Sequence, residues 1–153
     1  MSQTVPYQPE TSTKLEHVFV YGTLKRGQCR EDLWPRPPAS VAPAWTLGSL
    51  FDLGPYPALL AGSDRVLGEL WSFEPSQMAA VLEVLDRIEG TNQPGLPNEY
   101  DRLQVQVTSW AGGKLEASTY RCADQAIADR LEPLVANCFI EDEPYVQWPS
   151  DKA

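Results

Sequence analysis

The 153-residue chain has a single histidine, His17, and only three cysteines, Cys29, Cys122 and Cys138, widely separated. A Ser–His or Cys–His mechanism, or a metal site built on imidazole, would have to use that one histidine. It stands just before an apolar run, which fits a residue at the start of a strand. No C-x-x-C pair occurs, so the spacing supports neither a zinc site nor a disulfide framework. Free, mostly buried thiols are expected instead. Basic residues are also scarce: 12 Lys and Arg stand against 21 Asp and Glu, for a net charge of −9. Phosphate binding needs a basic surface, so the balance argues against a nucleic-acid partner and favours solubility. No run approaches the roughly 20 apolar residues of a spanning helix. The segment Met1–Glu16 is polar and lacks the apolar core of a secretory signal. The expectation is a cytoplasmic protein with no membrane partner.

What is present is ordinary for a globular protein: 42% apolar and 22% charged residues, in a length that suits one domain with one core. Residues 1–15 are polar and without periodicity, and read as a flexible tail ahead of a domain at 16–150. Val18–Tyr21 is a short β-rich run that stops at Gly22. Residues 28–43 carry Pro35, Pro37 and Pro38, which allow no more than a short helix near Glu31–Leu33. Ala44–Leu53 and Arg65–Phe73 have strand composition, separated by the rigid turn Gly54–Pro55–Tyr56–Pro57 and a short apolar piece, Pro57–Leu60.

Ser76–Glu89 is the clearest helix, with Ser76 as a candidate cap. Met78, Val81, Leu82, Leu85 and Ile88 form one apolar stripe, and Gly90 is a suitable stop. Tyr100–Trp110 and Leu115–Arg121 read as paired strands around the turn Ala111–Lys114, and Asp124–Asn137 as a second helix with Ile127, Leu131 and Leu134 on one side. The tail from Phe139 is acidic, with Trp148 within it. Short strands, a hairpin and two modest helices give an α+β domain whose strands close at least partly into a barrel.

Two features carry chemistry. The turn at Tyr21–Gly22–Thr23–Leu24 can offer successive backbone N–H groups to an anion, or be simply a tight turn. It is not a phosphate-binding P-loop, because Gly22 and Gly27 have the spacing but Gln28 and Cys29 follow. Glu89 lies at a helix C-terminus, where the partial negative charge disfavours a carboxylate. That placement breaks a local rule, although a helix-end glutamate is more often solvent-facing. Lys25 and Arg26 read as an exposed basic turn or as attractors of an anion. Arg102 reads as a partner of Asp86, Glu89 or Asp101, and Glu69 as a second carboxylate able to face a cavity.

The run Val18–Gly27 (VFVYGTLKRG) resembles the opening signature of the γ-glutamylcyclotransferase-like proteins, which include the AIG2-like and γ-glutamylamine cyclotransferases. Gly54–Leu59 (GPYPAL) resembles the family's second strand and turn, and Val66–Trp71 (VLGELW) its V-x-G-E-[LV]-[YW] strand. Leu85–Gly90 (LDRIEG) with Tyr100–Arg102 resembles its L-D-x-x-E-G … Y-x-R segment. Each match is weakly specific; four in order, from about residue 17 to residue 122, are strongly so. Two departures stand out: a long 91–98 loop, and Glu141–Tyr145 followed by Trp148 where the family often closes with a Gly-Asp-Trp-like segment.

The resemblance implies a small mixed β-barrel with flanking helices. It implies a reaction that removes a γ-glutamyl group as cyclic 5-oxoproline, with Glu89 as acid/base. The substrate, a small γ-glutamyl compound, would be held by Tyr21, Gly22, Thr23, Leu24 and Tyr120. Such a reaction requires no metal, cofactor or enzyme nucleophile, since the substrate's own α-amino group attacks its tethered side-chain carbonyl. A non-catalytic member that binds a small molecule or a protein in the same cavity is the alternative, and another amide lyase or an aminoacyl transfer a third.

Overall fold

The computed structural model describes residues 14–110 and 113–149. In chain order come β1 (Glu16–Val20), a 3-10 turn (Glu31–Leu33), β2 (Ser40–Asp52), β3 (Pro57–Phe73) and helix α1 (Pro75–Glu89). Then follow β4 (Tyr100–Ser109), β5 (Gly113–Cys122), the short helix α2 (Ile127–Arg130), β6 (Cys138–Ile140) and β7 (Glu143–Tyr145). The polar segment expected at 1–15 falls mostly outside the described residues, as do Ala111 and Gly112 of the expected turn.

The five long strands form a closed barrel in the order β1-β3-β2-β4-β5. Neighbours run antiparallel except at the closure, where β1 lies parallel to β5 with Val18 opposite Ser118. The two strand pieces expected at 57–60 and 65–73 are one strand. Its register against β2 shifts from Gly48↔Asp64 to Ser49↔Leu60, so that Ala61–Ser63 bulge out. A bulge bends a strand, which lets one long hairpin wrap much of the barrel.

β1 is apolar at consecutive positions because both of its faces are covered. Phe19 and Tyr21 pack with Leu50, Leu59, Leu70, Val107 and Ala117 in one cluster. Val18 and Val20 pack with Leu60, Phe73 and the α1 residues Met78, Val81 and Leu85 in the other. Each fully buried aliphatic side chain contributes roughly 1.5–3 kcal/mol, so the α1 stripe holds the helix across the barrel wall.

Helix α1 starts differently from expectation. Glu74 is its N-cap and makes no side-chain capping bond, Pro75 is the first helical residue, and Ser76 lies inside the helix. Proline suits that first position, where its missing N–H would have no partner anyway. The helix expected over Asp124–Asn137 forms only over Ile127–Arg130, and Leu131 is already extended (φ −128°, ψ 153°). Pro133 explains this, since it disfavours a helical residue before it and lacks a donor. The chain runs on along the barrel instead: Leu134 N–H donates to the Leu50 carbonyl at 2.7 Å. Of the thiols, Cys122 is buried, Cys138 is partly covered and Cys29 is exposed. The expectation of mostly buried cysteines thus fails at Cys29, which sits in the surface turn after the loop. Among the described residues no helix is long and apolar enough to cross a membrane.

Gly68 shows how tightly β1 and β3 approach. A Cβ there would overlap the Val20 carbonyl oxygen and the Phe19 ring, with Cζ at 2.7 Å. Gly68→Ala is therefore expected to destabilise the fold by about 1–3 kcal/mol, read as a lower thermal midpoint. An unchanged midpoint would show that the strands can separate without loss.

Candidate active site

Glu89 reaches the core through helix periodicity. Val81, Leu85 and Glu89 are spaced four apart and share one helix face, and Val81 and Leu85 are both 0% exposed. The stripe that docks α1 therefore delivers a carboxylate to the barrel wall at its last position. The helix stops there because Gly90 adopts the left-handed conformation (φ 67°). Thr91 N–H donates to the Asp86 carbonyl at 2.8 Å and Gly90 N–H to the Arg87 carbonyl at 3.4 Å, the paired bonds of a glycine-terminated helix.

Facing Glu89 is the turn that follows β1. The two border one cleft of about 60 Å³, together with Arg30, Tyr56, Pro57, Glu99, Tyr100 and Tyr120. All the residues proposed from sequence, namely Glu89, Tyr21, Gly22, Thr23, Leu24 and Tyr120, line it. Gly22 is there for space rather than for an unusual backbone angle: a Cβ would meet the Pro57 ring at 2.7 Å. The carbonyls of the turn are engaged away from the cleft. Gly22 O accepts from Lys25 N–H at 3.1 Å, Thr23 O from Arg30 N–H at 2.8 Å, and Leu24 O from the Trp34 indole at 3.0 Å. No backbone hydrogen bond among those of the turns and loops uses the Gly22, Thr23 or Leu24 N–H as donor.

Burial pushes the Glu89 carboxyl up to about 7; the Arg30 guanidinium opposes this and the Glu99 carboxylate adds to it. Asp86, one turn earlier, has the opposite surroundings. Arg102 grips it at 2.9 and 3.3 Å, and the Tyr120 hydroxyl donates to it at 2.6 Å. Arg102 thus settles on Asp86 among its three candidate partners. The Tyr120 phenol is pushed far above its usual range by burial and by Asp86, so it stays protonated. Tyr21 spends its hydroxyl on the Tyr120 carbonyl, and Tyr100 donates to the Pro57 carbonyl at 2.8 Å. These phenols are struts of the cleft.

Other candidates lie elsewhere. Glu69 does not line the cleft; it accepts the Trp71 indole N–H at 3.1 Å and pairs with Arg26 at 3.2 Å. Lys25 donates to the Trp148 carbonyl at 2.6 Å. His17 is bonded to Ser72 Oγ at 2.7 Å through Nδ1, outside the cleft. Among the described residues no group of three or more His, Cys, Asp or Glu is placed to hold a metal ion. Sequence reasoning missed Arg30, Glu99, Tyr56 and Tyr100 as cleft residues. The signals available were the Tyr100–Arg102 motif for Tyr100 and the Gly54–Leu59 motif for Tyr56.

Residues 18–142 match the family described as gamma-glutamyl cyclotransferase, AIG2-like. The chain belongs to this family. A curated relative, gamma-L-glutamyl-butirosin B gamma-glutamyl cyclotransferase of Niallia circulans, is 34% identical over 103 residues, 66% of this chain. The match spans 64% of that relative's own length. An AIG2-like protein of Mus musculus has a similar crystal structure, 28% identical, with a TM-score of 0.53, covering 71% of this chain and 78% of that one. A protein of Arabidopsis thaliana, known from a solution structure, is 27% identical with a TM-score of 0.58 and covers 77% of this chain and 75% of that one. The small closed barrel with flanking helices is the fold of these family relatives.

The raised Glu89 carboxyl has a stability consequence. Its ordinary value is 4.5 and its folded value about 7, so the folded state holds the proton more tightly. The associated stability is fully present below about pH 4.5 and is lost as pH rises through about 7. A shift of this size is worth on the order of 3 kcal/mol. Glu89→Gln removes the ionisation and is expected to raise the thermal midpoint at about pH 8 by about 6–12 °C, with little change near pH 4.5. Parallel melting curves for both proteins across that range would contradict the burial of an ionisable Glu89.

Proposed function

We propose that the chain is a γ-glutamyl cyclotransferase that releases 5-oxoproline and an amine from a γ-glutamyl amine or γ-glutamyl amino acid. The single observation that carries this reading is a raised, half-buried carboxylate at Glu89 across a narrow cleft from backbone amides whose carbonyls are already engaged. The family membership and the curated relative's name support the reaction class.

The chemistry follows from the geometry. A γ-glutamyl substrate enters with its α-amino group protonated. The ionised Glu89 carboxylate takes one proton from it, and the freed amine attacks the δ-carbonyl carbon to close a five-membered ring. Tethering makes this attack intramolecular, which removes most of the entropic barrier. The N–H groups of Gly22, Thr23 and Leu24 hold the substrate α-carboxylate or the developing oxyanion. Glu89, now protonated, gives its proton to the departing nitrogen as the C–N bond breaks; the restored carboxylate then takes the second proton from the new ring nitrogen and passes it to the released amine, which leaves as an ammonium ion and returns Glu89 to its ionised form. A carboxyl near pH 7 is matched to both halves of this task. Tyr120 donates its own proton to Asp86, which leaves its phenol oxygen able to accept from the substrate ammonium.

Glu89→Gln is expected to abolish 5-oxoproline release, at least about a hundredfold, while the far-UV circular dichroism is unchanged; full activity in this variant would exclude the role. The rate with the wild-type chain is expected to rise through about pH 7 as Glu89 ionises, and a flat profile from about pH 5 to 9 would count against it. Tyr120→Phe is expected to weaken substrate binding about fivefold, the worth of roughly one hydrogen bond, measured as KM; no change would take Tyr120 out of the binding set.

A further inference from the structure

The acidic C-terminal segment departs from the family pattern, yet it lies against the two walls of the cleft. β7 feeds Val146 into a parallel bridge with Val66, where Leu67 N–H donates to the Val146 carbonyl and Val146 N–H to the Arg65 carbonyl, both at 2.8 Å. This seats Trp148 in the core, 7% exposed, beside Tyr21 and Leu59 in the same apolar cluster.

Trp148 then makes two polar contacts in opposite directions along the chain. Its carbonyl accepts from Lys25 Nζ at 2.6 Å, one residue past the 21–24 turn. Its indole N–H donates to Asp52 Oδ1 at 3.0 Å, at the end of β2. The same Asp52 oxygen accepts Gly54 N–H at 2.9 Å and so shapes the turn that presents Tyr56 and Pro57. Gly22 is in contact range of that Pro57 ring. The turn and the Tyr56–Pro57 wall are therefore joined twice: directly at Gly22–Pro57, and through Lys25–Trp148–Asp52–Gly54.

We propose that Trp148 is a positioning residue that fixes the 21–24 turn against the Tyr56–Pro57 wall and thereby sets substrate affinity, through hydrogen bonds to Lys25 and Asp52. The inference rests on the reading of the cleft as a γ-glutamyl site for its kinetic consequence. The brace itself is a property of the fold. Trp148 touches no reacting atom; it limits how far two walls can part. Trp148 is not among the side chains that hold α1, which belong to the other apolar cluster.

Three variants remove the brace at different points. Trp148→Phe keeps an apolar ring and loses the indole N–H; Lys25→Met keeps the stem and loses the ammonium; Asp52→Ala loses the acceptor. Each is expected to raise KM for a γ-glutamyl amide about threefold to tenfold, the range of one or two hydrogen bonds, with the pH midpoint of the rate unchanged. Asp52→Asn retains an acceptor oxygen and should restore most of the affinity. Backbone amide hydrogen exchange read on the same variants should speed up in 22–27 and 53–56 while β4 and β5 stay protected. Unchanged KM and exchange in all three would overturn the proposal. So would a uniform rise in exchange across the barrel, because that marks general destabilisation. If the wild-type chain turns over no γ-glutamyl compound, the proposed reaction fails, and the exchange pattern still decides the brace.

Discussion

The structure depends on β1 being buried on both faces. Alternate side chains of one five-residue strand belong to different cores: Phe19 with the barrel interior, Val18 and Val20 with helix α1. A strand in that position must pair on both edges to satisfy its backbone, and it does, with β3 on one side and β5 on the other. Pairing on both edges closes the barrel. After Tyr21 the chain passes Pro57, whose ring a Cβ on Gly22 would meet. The turn at 22–24 follows directly from the end of this doubly paired strand.

The same burial explains why Glu89 faces that turn. Docking α1 on the outer face of β1 brings its whole stripe inward, and the stripe ends in a carboxylate. Three residues apart on one helix, Asp86 and Glu89 meet opposite fates. Asp86 is held by Arg102 and Tyr120. Glu89 is left with desolvation as its strongest influence and only the distant pull of Arg30 against it. One acid is thus held by hydrogen bonds as a structural anchor, and the other is pushed up to about 7 by burial. A carboxyl raised by burial is a recurrent basis for acid–base chemistry.

Much of this was legible before the fold was known, for identifiable reasons. The strands at 44–53, 65–73 and 100–110 and the α1 stripe follow from periodicity alone, which depends only on local geometry. Glu89 stood out because it opposes the helix dipole. Its alignment with Val81 and Leu85 would have placed it on the buried face from the sequence. The errors also have physical causes. Apolar spacing at Ile127, Leu131 and Leu134 suggested a long second helix, but Pro133 and pairing with β2 outweighed it. Glu69 alternates toward a plausible cavity, yet Arg26 and the Trp71 indole hold it elsewhere. At Gly22, where the sequence shows only that a strand stops, the fold shows why: a Cβ would meet the Pro57 ring.

By itself the sequence determined most of the elements, the weight of acidic surface, the family pattern and part of the lining of the cleft. These depend on composition, on spacing along the chain, and on local backbone preferences. The tertiary structure alone decided which carboxylate was neutralised by a partner and which was left to titrate. It also decided which phenols became struts, and that a C-terminal tryptophan 123 residues from Lys25 meets it. Partners so far apart in sequence are brought together only by barrel closure, because closure sets the distances and the desolvation on which every one of those interactions depends.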